Sequence, residues 1–150
     1  MKKLAFLLSF IFLTTNICFA QEPHELEHIM VKSSLWKKIG QIEYDVIDDY
    51  EYYPIFTPDL KQLNGEEVKL RGYMVPLEEG VVHSTFLLSV LPINQCYFCG
   101  KNGIPMMVEV YMRKAIRYTD GVIEISGKMS LNRTNMAYSY PIAINNAKLE

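Results

Sequence analysis

Apolar and polar positions alternate with a period of two along most of the chain after residue 40, and this pattern predicts β-strands. In the first of them Ile42, Tyr44 and Val46 share one face, with polar residues between them, as in a half-buried strand. Further strands are predicted around Val68, Leu70 and Met74 and at Thr85 to Val90, Met106 to Arg117, Val122 to Leu131 and Met136 to Ile144. Asp120-Gly121, between two of these strands, predicts a tight hairpin.

Two glycines, Gly72 and Gly127, lie inside predicted strands. Glycine weakens a strand interior, so each is expected to mark a bulge or a sharp bend. Bent strands allow a small sheet to close on itself. Five or six strands of this length therefore favour a small β-barrel of the oligonucleotide/oligosaccharide-binding (OB) type over a flat sandwich. The predicted fold is mainly β, an OB-like barrel with one N-terminal helix.

That helix is predicted from His24 to Ile39, with Gly40 as its stop. Its apolar face consists of Leu26, Ile29, Met30, Ser33 and Trp36. The acidic, aromatic and proline-marked segment from Asp48 to Pro58 is predicted to be a connection. Its rings either pack over an open end of the core or form a surface for a protein partner. The candidates for that surface are Tyr50, Tyr52, Tyr53 and Phe56.

The first twenty residues predict export. Lys2 and Lys3 precede an apolar run, and Ala20 precedes the expected cleavage point, as in a secretory signal peptide. The apolar run is shorter than the roughly 20 residues of a membrane-spanning helix. The predicted organisation is a signal peptide at residues 1–20, an amphipathic helix at 21–40 and one barrel domain at 41–150, located in the periplasm without a membrane span in the mature chain.

The net charge and the absence of common catalytic motifs argue against several classes of function. The formal net charge is −2, and it becomes −4 when Lys2 and Lys3 are removed, which argues against nucleic acid or anionic lipid as the partner. The chain contains no Gly-x-Ser-x-Gly elbow, phosphate-binding loop or dinucleotide fingerprint. We therefore predict no catalytic residues and no enzyme activity.

The strongest candidate for chemistry is the pair Cys96 and Cys99, since the third cysteine, Cys18, lies in the signal peptide. Two intervening residues let both sulfurs face one metal ion, and the glycine that follows lets backbone N–H groups turn toward them. Zinc is the expected ion. A closed zinc site needs two more ligands, for which His83 is the best intramolecular candidate because it precedes the strand that leads to the pair.

Other ligands and other uses of the pair stay open. His24, His28, a carboxylate or another subunit are alternative sources of ligands. A structural disulfide between Cys96 and Cys99 is plausible in an exported protein. A thiol-disulfide redox couple is less favoured, because a Gly-Lys-Asn-Gly turn follows the pair instead of the helix that stabilises a thioredoxin-type thiolate.

His24 and His28 also match the His-Glu-x-x-His pattern of zinc peptidases, which places both imidazoles on one helix face. The motif begins four residues after the predicted cleavage point, where chain ends fray, and no downstream helix offers a third ligand. A peptidase is therefore disfavoured, and the two histidines are kept as auxiliary metal ligands.

Three stretches carry a resemblance to a known family: Val68-Lys69-Leu70-Arg71-Gly72-Tyr73-Met74-Val75-Pro76-Leu77, Phe86-Leu87-Leu88-Ser89 and Gln95-Cys96-Tyr97-Phe98-Cys99-Gly100. From about Trp36 onward the chain resembles the bacterial envelope family called the domain of unknown function numbered 3299. The resemblance implies an OB-like barrel. It also implies a metal-handling accessory of an envelope transport or assembly system, with an envelope protein as partner. Many members have a single cysteine where this chain has a pair.

The main hypothesis is thus a periplasmic barrel module that binds zinc through Cys96, Cys99 and His83. The rivals are a thiol-disulfide redox protein that uses the same cysteines and a metal-free adaptor in which a disulfide pins a loop and the aromatic segment meets a protein partner.

Overall fold

The computed structural model describes residues 30–48, 51–93 and 106–150. Within these ranges the chain forms helices α1 (Ser34–Ile39) and α2 (Pro58–Gln62) and strands β1 (Glu43–Asp48), β2 (Glu51–Ile55), β3 (Glu67–Pro76), β4 (Val82–Ser89), β5 (Met107–Arg117), β6 (Val122–Leu131) and β7 (Ile142–Leu149). The fold is mainly β, as predicted. No helix in the described ranges has the length and apolar character needed to cross a membrane.

Five strands close into a barrel in the order β3-β4-β5-β7-β6, while β1 and β2 form a separate two-stranded sheet. Neighbouring barrel strands are antiparallel except β5 and β7, which run parallel. A closed five-stranded barrel of this kind is OB-like and confirms the predicted fold class. Closure gives each barrel strand two neighbours along at least part of its length, which leaves few unpaired strand edges.

The barrel interior is a packed core built from alternate positions of each strand. Val68, Leu70 and Met74 of β3 are buried, as their alternation predicts. Each of the other barrel strands contributes side chains that are at most 1% exposed: Phe86, Leu88, Val108, Val110, Ile125, Met129, Ile142 and Ile144. This continuous apolar interior fixes the strand register, because a shift by one residue would turn these side chains to solvent.

The strand directions define two ends of the barrel. At the capped end, marked by Ser89 and Leu131, β4 and β6 finish and β3, β5 and β7 begin. At the open end, marked by Val82, Arg117 and Val122, β4 and β6 begin and β5 finishes. Helix α2 precedes β3 and lies at the capped end, where the side chain of Asn64 accepts a hydrogen bond from Leu131 N at 3.0 Å.

Helix α1 covers a gap in the barrel wall. Strand β4 pairs with β3 only from Tyr73 onward, which leaves the first half of β3 without a strand on that side. There the indole of Trp36 donates a hydrogen bond to Arg71 O at 2.7 Å, and Val31 N donates to Val90 O at 3.0 Å. Trp36 and Ile39 are buried in the core cluster. The helix therefore protects an exposed strand edge and seals the core.

Residues 24–29 of the predicted helix from His24 to Ile39 lie outside the described residues; of the rest, residues 30–33 are not helical and only Ser34–Ile39 is, and a second helix, α2, is also present. Ser33 has extended dihedral angles, and its hydroxyl accepts a hydrogen bond from Trp36 N at 3.0 Å. Ser33 is thus the N-cap of a shorter helix and not a member of its apolar face. Helix α2 was missed although Thr57-Pro58 is a typical cap followed by proline at the first helical position.

Two strand predictions also need correction. Asp120-Gly121 does not close a hairpin, because Arg117 pairs with Val82 and Val122 pairs with Tyr73. The predicted strand from Met136 to Ile144 is instead mostly a turn region, and β7 starts only at Ile142. Tyr138 and Tyr140 alternate with small residues, which is typical of a strand, but Tyr138 is 87% exposed and does not pack on the sheet.

The two glycines have different roles. The β6–β7 register shifts between Ser126 and Lys128, so Gly127 lies at the predicted bulge. A Cβ atom at Gly127 would lie 2.8 Å from Asn145 O. No register shift occurs at Gly72; a Cβ there would lie 2.7 Å from Ser89 O, so glycine permits the close approach of two strands at this point.

Glu150, which follows β7, binds side chains of neighbouring strands. The Glu150 carboxylate accepts hydrogen bonds from the Ser126 hydroxyl and from Lys69 Nζ at 3.1 Å, and Lys148 Nζ lies 3.5 Å away. These contacts lower the pKa of Glu150 from 4.5 to about 2. The hydrogen bond from Ser126 has the largest effect, and the two lysines add to it. Because the folded-state pKa is depressed, this stabilisation is complete above pH 4.5 and is lost as the pH falls toward about 2.

We therefore expect the stability difference between the wild type and Glu150→Gln to be constant above pH 4.5 and to shrink steadily between pH 4.5 and about 2. Urea denaturation at a series of pH values measures this difference. A difference that stays constant down to pH 2 would show that the Glu150 carboxylate is not held in its ionised form.

Candidate functional site

The aromatic segment is a strand and not the predicted connection. Strand β2 pairs antiparallel with β1, with Tyr44 opposite Pro54 and Val46 opposite Tyr52. Proline is compatible with this position because a two-stranded sheet leaves one side of each strand unpaired. The hairpin is tied to the loop before β7, since Asn135 Oδ1 accepts a hydrogen bond from Tyr52 N at 3.3 Å and Met136 N donates to Tyr52 O at 2.9 Å.

The inner face of this hairpin belongs to the core. Phe56 is 4% exposed and Pro54 is buried, so the predicted interaction surface does not include Phe56. Tyr44 packs against the core cluster, and burial raises its pKa to about 12. Tyr52 lies on the same face as Tyr44 and is half-buried. The prediction that some of these rings pack over the core is therefore confirmed for Phe56.

The outer face of the hairpin carries both acidic and apolar side chains. The register places Asp45 opposite Tyr53 and Glu43 opposite Ile55 on this face. Glu43 and Asp45 are exposed, Ile55 is 51% exposed and Tyr53 is half-buried. Tyr50, the remaining residue of the predicted surface, lies outside the described residues. Tyr53 is thus the predicted aromatic that best combines exposure with neighbouring charge.

His83 lies at the open end of the barrel. It is 5% exposed, and its Nε2–H donates a hydrogen bond to Gly80 O at 3.1 Å. The segment that carries the cysteines leaves β4 after Ser89, at the capped end. Ser89 lies six positions after His83 along the strand, a distance of about 20 Å. His83 and the point at which the chain leaves β4 toward the cysteines are therefore at opposite ends of this strand.

The capped end brings together the chain segments that lead to the other candidate ligands. Val31 N donates to Val90 O at 3.0 Å, and Val90 N donates to Met106 O at 3.4 Å. Val31 follows the histidine motif, whereas Val90 and Met106 flank the cysteine pair in sequence. No sequence pattern predicts this contact, because an isolated backbone hydrogen bond between distant segments has no local signature.

Cys96, Cys99, His24 and His28 themselves lie outside the described residues. Within residues 30–48, 51–93 and 106–150, no group of three His, Cys, Asp or Glu side chains is arranged to hold a metal ion. The zinc site at the cysteine pair therefore stays a prediction, as does a disulfide between the two cysteines.

Comparisons with protein-family models, with curated proteins and with solved structures find no match to this chain. The resemblance to the family numbered 3299 thus stays a prediction, and the assignment of function depends on the geometry described above.

Proposed function

We propose that this chain is an exported metal-binding module in which Cys96 and Cys99 hold one zinc ion. The observation that supports it is the pair of backbone hydrogen bonds that joins Val31, Val90 and Met106 at the capped end. These bonds fix the starting points of the two segments that carry cysteines and histidines within a few ångströms of each other. A four-ligand site becomes possible within one chain.

Chain length supports the choice of ligands. His28 lies three positions before Val31, so its Cα lies within about 11 Å of the Val31 Cα. Cys96 lies six positions after Val90, which allows at most about 22 Å between their Cα atoms. Two cysteines and two histidines form a closed, tetrahedral zinc site. We propose His24 and His28 as the remaining ligands in preference to His83, because Val31 and Val90 are hydrogen-bonded to each other, whereas His83 lies about 20 Å from the end of β4.

The module is further proposed to act in the periplasm as an accessory of an envelope transport or assembly system. The signal-peptide pattern and the resemblance to the family numbered 3299 support this part of the proposal. The outer face of the hairpin, with Asp45, Tyr53 and Ile55, offers an acidic and apolar surface to a basic region of an envelope protein.

Competition titration of the reduced protein, residues 21–150, against a chromophoric zinc chelator tests the metal site and its ligands. We expect one zinc per chain, loss of binding in Cys96→Ser with Cys99→Ser, and at least about tenfold weaker binding in His24→Gln with His28→Gln. His83→Gln is the matched control and is expected to bind zinc like the wild type.

The outcomes separate the proposals. Weakened binding in His83→Gln together with unchanged binding in the His24 and His28 variant would reject the ligand assignment while keeping the metal site. Absence of zinc binding by the reduced wild type would overturn the metal proposal. A reversible thiol-disulfide couple in that same protein would then favour the redox alternative.

A further inference from the structure

A cleft of about 450 Å³ opens between β5 and β7 near the open end of the barrel. The two strands pair as far as Met112 and Ala147 and then separate. On the other side of β5, the register with β4 passes from Tyr111 directly to Ile116. Residues 113–115 therefore have no partner in either neighbouring strand. Such a bulge bends the strand away from the barrel wall, which explains why the cleft opens here.

The cleft combines apolar walls with a basic rim. Its apolar side chains are Met112, Ala115, Ile116, Ala147 and Leu149, and its basic side chains are Arg113, Lys114 and Lys148. Arg113 and Lys114 are exposed, and Leu149 is 50% exposed. The chain as a whole is acidic, with a formal net charge of −2, so this concentration of cations is a local feature.

The cations of the rim are not neutralised in the described part of the chain. Among the described residues, neither Arg113 nor Lys114 forms a salt bridge. Lys148 lies 3.5 Å from a carboxylate oxygen of Glu150, but that carboxylate also binds Ser126 and Lys69. The rim therefore presents more positive charge than its acidic neighbour offsets.

The gap beside the first half of β3 is filled, unlike the cleft between β5 and β7. There α1 fills the opening in the wall, and the Trp36 indole binds the free strand edge. All residues that line the cleft at β5 and β7, by contrast, come from these two strands themselves. Apolar side chains such as Ile116 and Leu149 are thus accessible in a cavity of the size that small ligands occupy.

We propose that this cleft binds a small amphipathic anion, a carboxylate or phosphate ester with an aliphatic or aromatic body. The apolar body lies against Ile116 and Leu149, and the anionic group meets Arg113 and Lys114. An arginine fork matches the geometry of a carboxylate or phosphate, and a lysine adds a further charge-assisted hydrogen bond. All residues that line the cleft belong to β5 and β7, so this proposal does not depend on the proposed zinc site.

Isothermal titration calorimetry with octanoate tests the proposal. We expect saturable binding at one site per chain, and at least about tenfold weaker binding in Arg113→Gln with Lys114→Gln. Lys61→Gln with Lys128→Gln removes the same charge at exposed positions away from the cleft and is expected to bind octanoate like the wild type. The exchange variant Arg113→Lys with Lys114→Arg retains the charge and is expected to bind within about threefold of the wild type.

Two further arms identify the source of the anion. 1-Octanol, which has the same apolar body without charge, is expected to bind at least about tenfold more weakly than octanoate. Sedimentation with phosphatidylglycerol vesicles, in the absence of octanoate binding, would overturn the small-ligand proposal in favour of a membrane surface. Octanoate binding that is absent, not saturable or equal in the Arg113 and Lys114 variant would overturn it outright.

Discussion

Replacing Phe86 by alanine is expected to lower the free energy of unfolding by about 3 to 5 kcal/mol. Phe86 is fully buried, in the interior of β4, and its neighbours in the register are Pro76 of β3 and Val110 of β5. Removal of its ring leaves a cavity between three strands. The closed barrel cannot contract enough to fill this cavity. Because small domains are stable by only about 5 to 15 kcal/mol, much of the total stability would be lost.

Chemical denaturation followed by circular dichroism measures this effect. Tyr138→Ala is the matched control, since it also removes an aromatic ring but from a side chain that is 87% exposed. We expect the control to change the free energy of unfolding by no more than about 0.5 kcal/mol. A loss below about 1 kcal/mol in Phe86→Ala would contradict a packed barrel interior at this position.

Replacing Trp36 by alanine is expected to have an effect of similar size, about 3 to 5 kcal/mol. Trp36 is 3% exposed, and it joins α1 to the core and to the free edge of β3. Trp36→Phe keeps most of the buried ring but leaves Arg71 O without the indole donor. We expect that variant to lose about 1 to 3 kcal/mol, the usual cost of an unsatisfied buried polar group.

Because Trp36 is the single tryptophan of the chain, these variants are followed by circular dichroism and not by fluorescence. Val46→Ala, on a side chain that is 51% exposed, is the control and is expected to stay within about 0.5 kcal/mol of the wild type. If Trp36→Ala were as stable as the wild type, α1 would not be docked on the barrel, and the histidine segment before it would lose its anchor.

The fold was largely predictable where one face of a strand is buried. The alternation of Val68, Leu70 and Met74 follows directly from their burial inside the barrel. The prediction failed where local patterns have two structural explanations. Ser33 fits an apolar helix face by spacing but caps the helix, because its hydroxyl binds the backbone. Strand partners are set by tertiary packing, so the hairpin predicted at Asp120-Gly121 was wrong.

The zinc ligands Cys96 and Cys99 stay a prediction, and the described residues show only where the segments that lead to them begin. His83 was chosen because it comes shortly before the cysteines in sequence, yet a strand carries the chain about 3.3 Å per residue and takes it to the far end of the barrel. The contact between Val31 and Val90 joins segments that are distant in sequence. The basic cleft depends on a bulge around Arg113 that no turn residue in the sequence indicates.

The most direct test of the metal-binding proposal is the zinc and free-thiol content of the protein purified from the periplasm without added metal, beside Cys96→Ser with Cys99→Ser. We expect about one zinc per wild-type chain, thiols that react only after a chelator is added, and no zinc in the variant. A wild-type protein that contains neither metal nor free thiol would contradict the proposal and would indicate that Cys96 and Cys99 form a disulfide.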